Sequence, residues 1–252
     1  MVKAAVPLVL ALAALAWGVL APPVVQPQAY HAFADARAFL GVPNAADTLS
    51  NLAFLVVGAL GLAFLWRERG SSERFASSAE MRPYAVFFAG VALTSAGSAY
   101  YHLAPDDAGL AWDRLPMTIA FMSLVAAVVS ERISVRAGSA LLWPLVFLGL
   151  ASVVYWRWSA LAGVENLRPY VAVQFGSIAV VLAIPILYRS RYTHGAVIFL
   201  LAAAYGVAKV VEVYDREIFE VGEWVSGHTL KHLAAAGGIY LLLRALAKRV
   251  AI

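Results

Sequence analysis

Two histidines, His228 and His232, stand four residues apart in "SGHTLKHLAAAGGIYLLL", at the start of a run that is otherwise apolar. That spacing puts both imidazoles on one helical face, one turn apart. A helix supplies two ligands to one zinc ion in this way. Ser98 and His102 repeat the spacing in "SAGSAYYH", and Asp113 follows eleven residues after His102 in "WDRLPM". Three neutral imidazoles and a water make a four-coordinate zinc site of the catalytic kind. Zinc lowers the pKa of such a water to about 7. A carboxylate beside it suits general-base and then general-acid work, and a serine hydroxyl suits hydrogen bonding to a developing oxyanion. Metal-assisted hydrolysis is the chemistry these residue types share.

Each residue also has a plainer reading. Histidines at a helix start can be half-wet interfacial residues. Ser98, beside Gly97, can be a small packing residue whose hydroxyl bonds back to a carbonyl. Asp113, three residues ahead of Pro116, can cap a helix start. The elements that carry these residues decide how far the sharper reading goes.

The chain has 252 residues, 62% of them hydrophobic and 13% charged, and a mean hydropathy of +0.77. Soluble domains carry about 25% charged residues, so this is an all-α polytopic membrane protein. The absence of cysteine excludes disulfides, thiolate metal sites and cysteine nucleophiles. The net charge of +4 sits in short loops between apolar runs, which does not point to nucleic acid.

A membrane-crossing helix needs about 20 mostly apolar residues. Eight such runs lie near residues 4–21, 48–66, 83–103, 114–131, 139–156, 169–188, 195–213 and 228–247. Segment 1–22, with Lys3 ahead of it, reads as an N-terminal transmembrane helix or uncleaved signal. Cleavage there would leave seven helices with the same sidedness. Residues 23–47 read as an outer interfacial segment, with Tyr30, Phe33 and Phe39 on a short helix ended by Pro43. Residues 48–252 carry the other seven helices. Arginines crowd one set of connections (Arg67, Arg69, Arg74, Arg82; Arg132, Arg136; Arg189, Arg191; Arg244, Lys248, Arg249), which places that end in the cytoplasm with the C-terminus.

This topology brings His102, His228, His232, Asp113 and Ser98 to the outer ends of three helices, beside Asp47, Ser50 and Asn51 at the start of a fourth. Ionisable groups at such depth are costly and tend to be functional. Lys209 and Glu212, three apart, form an ion pair or let Glu212 orient a ligand histidine. Glu212, Lys209 and Asn51 are the candidates for a supporting layer around the ligands. Lys231 is expected on a different face from His232, snorkelling to the outer interface. His31 and His194 have no partner at ligand spacing. Arg168 reads as interfacial, and Gln174 as a bond across helices.

The strings "SAGSAYYHLAPDDAGLAWDRLPM" and "GHTLKHLAAAGGIY", with "DTLSNLAFLVVG" ahead of them, resemble the alkaline ceramidase family. That family belongs to a superfamily of seven-helix membrane hydrolases that includes the adiponectin-receptor-like proteins. The resemblance spans about residues 47–247 and implies a seven-transmembrane-helix hydrolase core plus an extra N-terminal helix. It implies zinc ligands at His102, His228 and His232, a water-activating Asp113 and an oxyanion-steadying Ser98. The implied reaction is hydrolysis of a membrane lipid amide, a ceramide or related N-acyl lipid, to a fatty acid and a sphingoid base. The resemblance implies sphingolipid metabolism in a bacterial member, and the arginine distribution puts the site on the outer, periplasmic side of an inner membrane. Eukaryotic members bind calcium through an acidic N-terminal cluster. Here the matching region holds only Asp35 and Asp47 as acids, so no calcium ligands are assigned. Two readings stay open beside the enzyme: a zinc-containing lipid-sensing receptor without turnover, and a helical scaffold without metal.

Overall fold

The computed structural model describes residues 2–70 and 73–252, with side chains from residue 5 onward. The Lys3 charge lies outside the described side chains. Helices follow one another as α1 (Val2–Leu20), α2 (Ala45–Ser50), α3 (Leu52–Arg67), α4 (Ser78–Leu103), α5 (Asp107–Arg132), α6 (Val135–Leu161), α7 (Arg168–Leu187), α8 (Val197–Val213), α9 (Asp215–Gly222) and α10 (Gly227–Lys248). A helix stands at each of the eight expected places. Among the described residues, five spans are long and apolar enough to cross a membrane on their own, α2 and α3 counting as one, and α8 with α9, bent by 73°, makes a sixth if the pair is one span. The fold is an all-α polytopic membrane fold. α4 is long enough at 26 residues, but it buries Glu80, Thr94, Ser95 and Ser98 against its neighbours.

Apolar side chains cover the outside of the bundle, among them Leu12, Leu55, Phe147, Leu200 and Val210. A bilayer tolerates these, and the helical backbone satisfies its own polar groups there. α5 is the central helix, buried along most of its length and packed on α4, α6 and α7. α10 packs on α8 and α3, while α1 lies outside the core against α7. Small residues allow that last approach: a Cβ on Gly18 would come within 2.9 Å of Ala172 Cβ, and one on Gly176 within 2.6 Å of Ala14 Cβ.

Two local expectations are corrected. α5 starts at Asp107 rather than near residue 114, and Asp106 is its cap, accepting from the Gly109 N–H at 2.6 Å. Asp113 is therefore interior to the helix, and Pro116 lies well past its first turn. The polar first turns, "DAGLAWD", hide this start from an apolar-run criterion. The segment 26–46 holds no interfacial helix, only a 3-10 turn at Gln28–His31. Leu40, Gly41 and Asn44 adopt positive φ, which helices do not accommodate. This segment folds back over the end of the bundle as a cover.

Gly97 sets how closely α4 and α5 cross. A Cβ there would lie 2.2 Å from the Trp112 carbonyl oxygen. Pro116 has no N–H to offer that carbonyl, four residues earlier in its helix. The close approach puts Ser98 and Asp113 on facing helices at the same level.

Candidate metal centre

The start of α10 is fixed three times over. Ser226 caps it, accepting from the Thr229 N–H at 2.9 Å. Asp215, just after the α8–α9 bend, accepts from the His228 N–H at 2.7 Å. Asp47 Oδ1 accepts from the Thr229 hydroxyl at 2.6 Å and from Ser226 at 3.0 Å. Gly227 makes room for this junction, since a Cβ there would meet the Val211 carbonyl oxygen at 2.0 Å. His228 and His232 then face His102 at the C-terminal end of α4, whose carbonyl accepts from Asn44 Nδ2 at 2.7 Å.

His102, His228 and His232 are buried, and one ring nitrogen from each lies within 4.8 Å of the others. The two Nε2 atoms of His102 and His228 are 3.3 Å apart. Nitrogens about 2.0–2.1 Å from one ion in tetrahedral geometry stand about 3.3–3.4 Å apart, so this pair already has the separation of two ligands. Ser50 fixes the third ring. Its hydroxyl lies 2.9 Å from the Asp47 carbonyl, which can only accept, and 2.7 Å from His232 Nδ1. With its proton given to the carbonyl, Ser50 Oγ accepts from Nδ1–H, and the network assigns the lone pair to Nε2. His102 Nδ1 is buried and has no hydrogen-bond partner among the described residues. A ring of Phe33, from the covering segment, lies 4.7 Å from His102 and 4.5 Å from His228. It closes the site against water. Three imidazoles without a thiolate can hold a metal ion of the kind imidazole suits, zinc among them.

Asp113 and Ser98 sit side by side and line, with His232, a cavity of about 260 Å³ inside the bundle. Its deeper wall is apolar, including Phe87, Leu124, Val181 and Leu201. Leu124 lies eleven residues along α5 from Asp113, or about 16 Å at 1.5 Å per residue. One polar end and a long apolar end make this a lipid-shaped space.

Lys231 corrects the expectation made for it. It does not snorkel outward. Its Nζ lies 2.8 Å from His228 Nε2 and 3.0 Å from Glu212 Oε1, on the cavity wall. Position 231 is three residues after 228, so it shares the His228 side of the helix, and the Glu212 carboxylate on α8 draws the ammonium inward. Lys209 pairs with Glu212 as expected. Glu212 also accepts from the Tyr30 hydroxyl at 2.9 Å. Burial, and then the Glu212 charge, hold that hydroxyl well above its ordinary pKa, so it stays a donor. Glu212 meets the histidines only through Lys231. Asn51 makes no hydrogen bond to them among the described residues: its Nδ2 donates to the Asp47 carbonyl at 2.9 Å, beside Ser50. Gln174 bonds across helices as expected, donating to the Tyr205 hydroxyl at 2.6 Å. His31 is a strut of the cover, between the Tyr101 hydroxyl at 2.8 Å and Asp107 at 3.0 Å.

The family model described as Ceramidase matches residues 42–247. The chain belongs to the Ceramidase family. Family membership implies a hydrolase acting on a lipid, and the matched range contains His102, His228, His232, Asp113 and Ser98. α1 and most of the cover lie ahead of the match. The comparison with curated proteins returns no match. In the sequence alone, Ser50, Asp215, Phe33 and Lys231 have no assigned role toward the histidines. The i+3 step from His228 was the available signal for Lys231; for Phe33 and Asp215 none exists short of the fold.

Proposed function

We propose that this Ceramidase-family chain is an intramembrane, zinc-dependent lipid amidohydrolase that cleaves an N-acyl sphingoid lipid to a fatty acid and a sphingoid base. The observation that carries the reading is a cluster of three buried imidazoles, one of which, His232, lines an apolar cavity together with Asp113 and Ser98. His102, His228 and His232 would hold the metal, with Ser50 keeping the His232 lone pair directed at it. A metal there supplies Lewis acidity and an acidified water. Asp113 takes the proton of the attacking water and returns it to the amine nitrogen as the amide C–N bond breaks. Ser98 steadies the oxygen that gains charge on the acyl carbon. The apolar wall from Phe87 to Leu201 holds the acyl chain, and Phe33 keeps bulk water from the imidazoles.

We place this end of the bundle on the outer, periplasmic side of a bacterial inner membrane, with the C-terminus cytoplasmic. Support comes from the arginine-rich connections, all at the opposite end. The test is fatty-acid release from a short-chain ceramide by detergent-solubilised protein, compared with His228→Ala and with chelator-treated protein. Release is expected from the wild type alone and is restored to the treated protein by zinc. A His228→Ala variant as fast as the wild type overturns the proposal.

A further inference from the structure

Arg114 follows Asp113 on α5 and is 6% exposed, on the wall of the same cavity. Among the described residues no carboxylate comes within ion-pair distance of its guanidinium. Its Nη2 donates to a neutral amide, Gln26 Oε1, at 2.7 Å. Its flat faces rest on Trp156 and Tyr170, each 4.6 Å from the guanidinium carbon. Nη1 is buried and has no hydrogen-bond partner among the described residues. Two nearby acids are engaged elsewhere: Glu165 accepts from the Trp156 ring and the Gln26 N–H, and Glu212 serves Lys209 and Lys231. The third, Asp113, feels the Arg114 charge but sits beside Ser98 and forms no ion pair with the guanidinium. The charged residues on the cavity wall are Arg114, Lys209 and Lys231 against Asp113 and Glu212, a surplus of one positive charge.

An arginine is always charged, and a buried charge is costly unless it is paired. An amide and two ring faces compensate it less well than an anion does. Its fork is also the side chain best matched to carboxylate or phosphate oxygens. We infer that Arg114 is an anion subsite of the lipid cavity, so that the preferred substrate is an N-acyl lipid whose amine-derived half carries a carboxylate or phosphate. With the acyl chain along the apolar wall and the amide at Asp113, that half lies toward Arg114, Tyr30 and Tyr170. Hydrolysis of an N-acyl amino acid there consumes one water. The acyl C–N bond breaks, the water oxygen joins the acyl carbon, and its proton goes to the amine nitrogen, giving a fatty acid and the free amino acid.

This inference rests on the lipid-amidohydrolase reading but has its own test in binding. The purified full chain in detergent is titrated by calorimetry with N-oleoylglycine, its neutral counterpart N-oleoylethanolamine, and a short-chain ceramide 1-phosphate, and the three are then compared as substrates. The expected result is binding of an anionic ligand about ten- to hundredfold tighter than the neutral one, the worth of one or two charge-assisted hydrogen bonds. Whichever anion binds tighter names the group. Arg114→Met collapses that ratio, and Arg114→Lys, which keeps the charge and a donor should the first variant not fold, retains part of it. Equal binding of anionic and neutral lipids by the wild type, or an unchanged ratio in a folded Arg114→Met protein, overturns the subsite. Discriminating binding without hydrolysis of any of the three, or of the short-chain ceramide, leaves the subsite standing and removes the amidohydrolase reading instead.

Discussion

Ser50→Ala removes one hydroxyl outside the lining of the lipid-shaped cavity. Ser50 Oγ lies 2.7 Å from His232 Nδ1, and His232 is 3% exposed, so water does not replace the lost partner. A buried donor left unpaired costs about 1–3 kcal/mol, which is about 5- to 150-fold in an equilibrium constant. The Asp47 carbonyl stands near the same ring and recovers part of that. It also keeps its bond from Asn51 Nδ2, so the loss falls on the imidazole alone. The expected weakening of zinc binding is about tenfold, within the 10–100-fold range typical of partners that orient metal ligands. Competition against a chromophoric chelator, with protein in detergent, measures it. Ser50→Thr keeps the hydroxyl and should restore most of the affinity. A Ser50→Ala protein that binds zinc within twofold of wild type would refute the idea that this hydroxyl aims the His232 lone pair.

Three other outcomes are expected. Gly97→Ala would ordinarily stabilise a helix interior by roughly 1 kcal/mol, but here its Cβ meets the Trp112 carbonyl oxygen at 2.2 Å; a thermal melt in detergent should show a net loss of about 1–3 kcal/mol, and a gain would contradict the close crossing. Lys231→Met removes an ammonium 2.8 Å from His228 Nε2, so apparent zinc affinity should rise in the same chelator competition while the metal-free protein melts lower; weaker zinc binding would mean that Lys231 supports the ligand rather than competes for it. Asp35 is held below the ordinary carboxylate range, chiefly by hydrogen bonds from Arg37, whose guanidinium also reaches the Glu223 and Trp224 carbonyls. A depressed folded value gives stability that is present above about pH 4 and lost as pH falls below it, so limited proteolysis of the cover should set in below that pH, and at higher pH in Arg37→Gln; coincident profiles would contradict it.

The grouping of the candidate ligand histidines was legible because its spacing is local. Positions 228 and 232, like 98 and 102, share a helical face by periodicity alone, and the apolar runs placed all four at one end of the bundle. The start of α5 was not legible, because "DAGLAWD" lacks an apolar run and a cap can only be assigned once the turn is closed. The covering segment was hidden for another reason. Tyr30, Phe33 and Phe39 have the spacing of an interfacial helix, but the partners that bend the chain back, Glu212 and Asp215, are about 180 residues away. Lys231 shows the same limit. A long cation at a helix mouth snorkels outward unless an acid waits inside, and only the packing of α8 on α10 shows that one does.

The central claim is that His102, His228 and His232 hold the metal. Anomalous diffraction from crystals of the protein purified without chelator, recorded on both sides of the zinc edge, tests it most directly. A single zinc peak about 2.0–2.1 Å from one nitrogen of each histidine, absent in His232→Ala, is the predicted result. Hydrolytically active protein with no metal peak among these three rings would contradict the account.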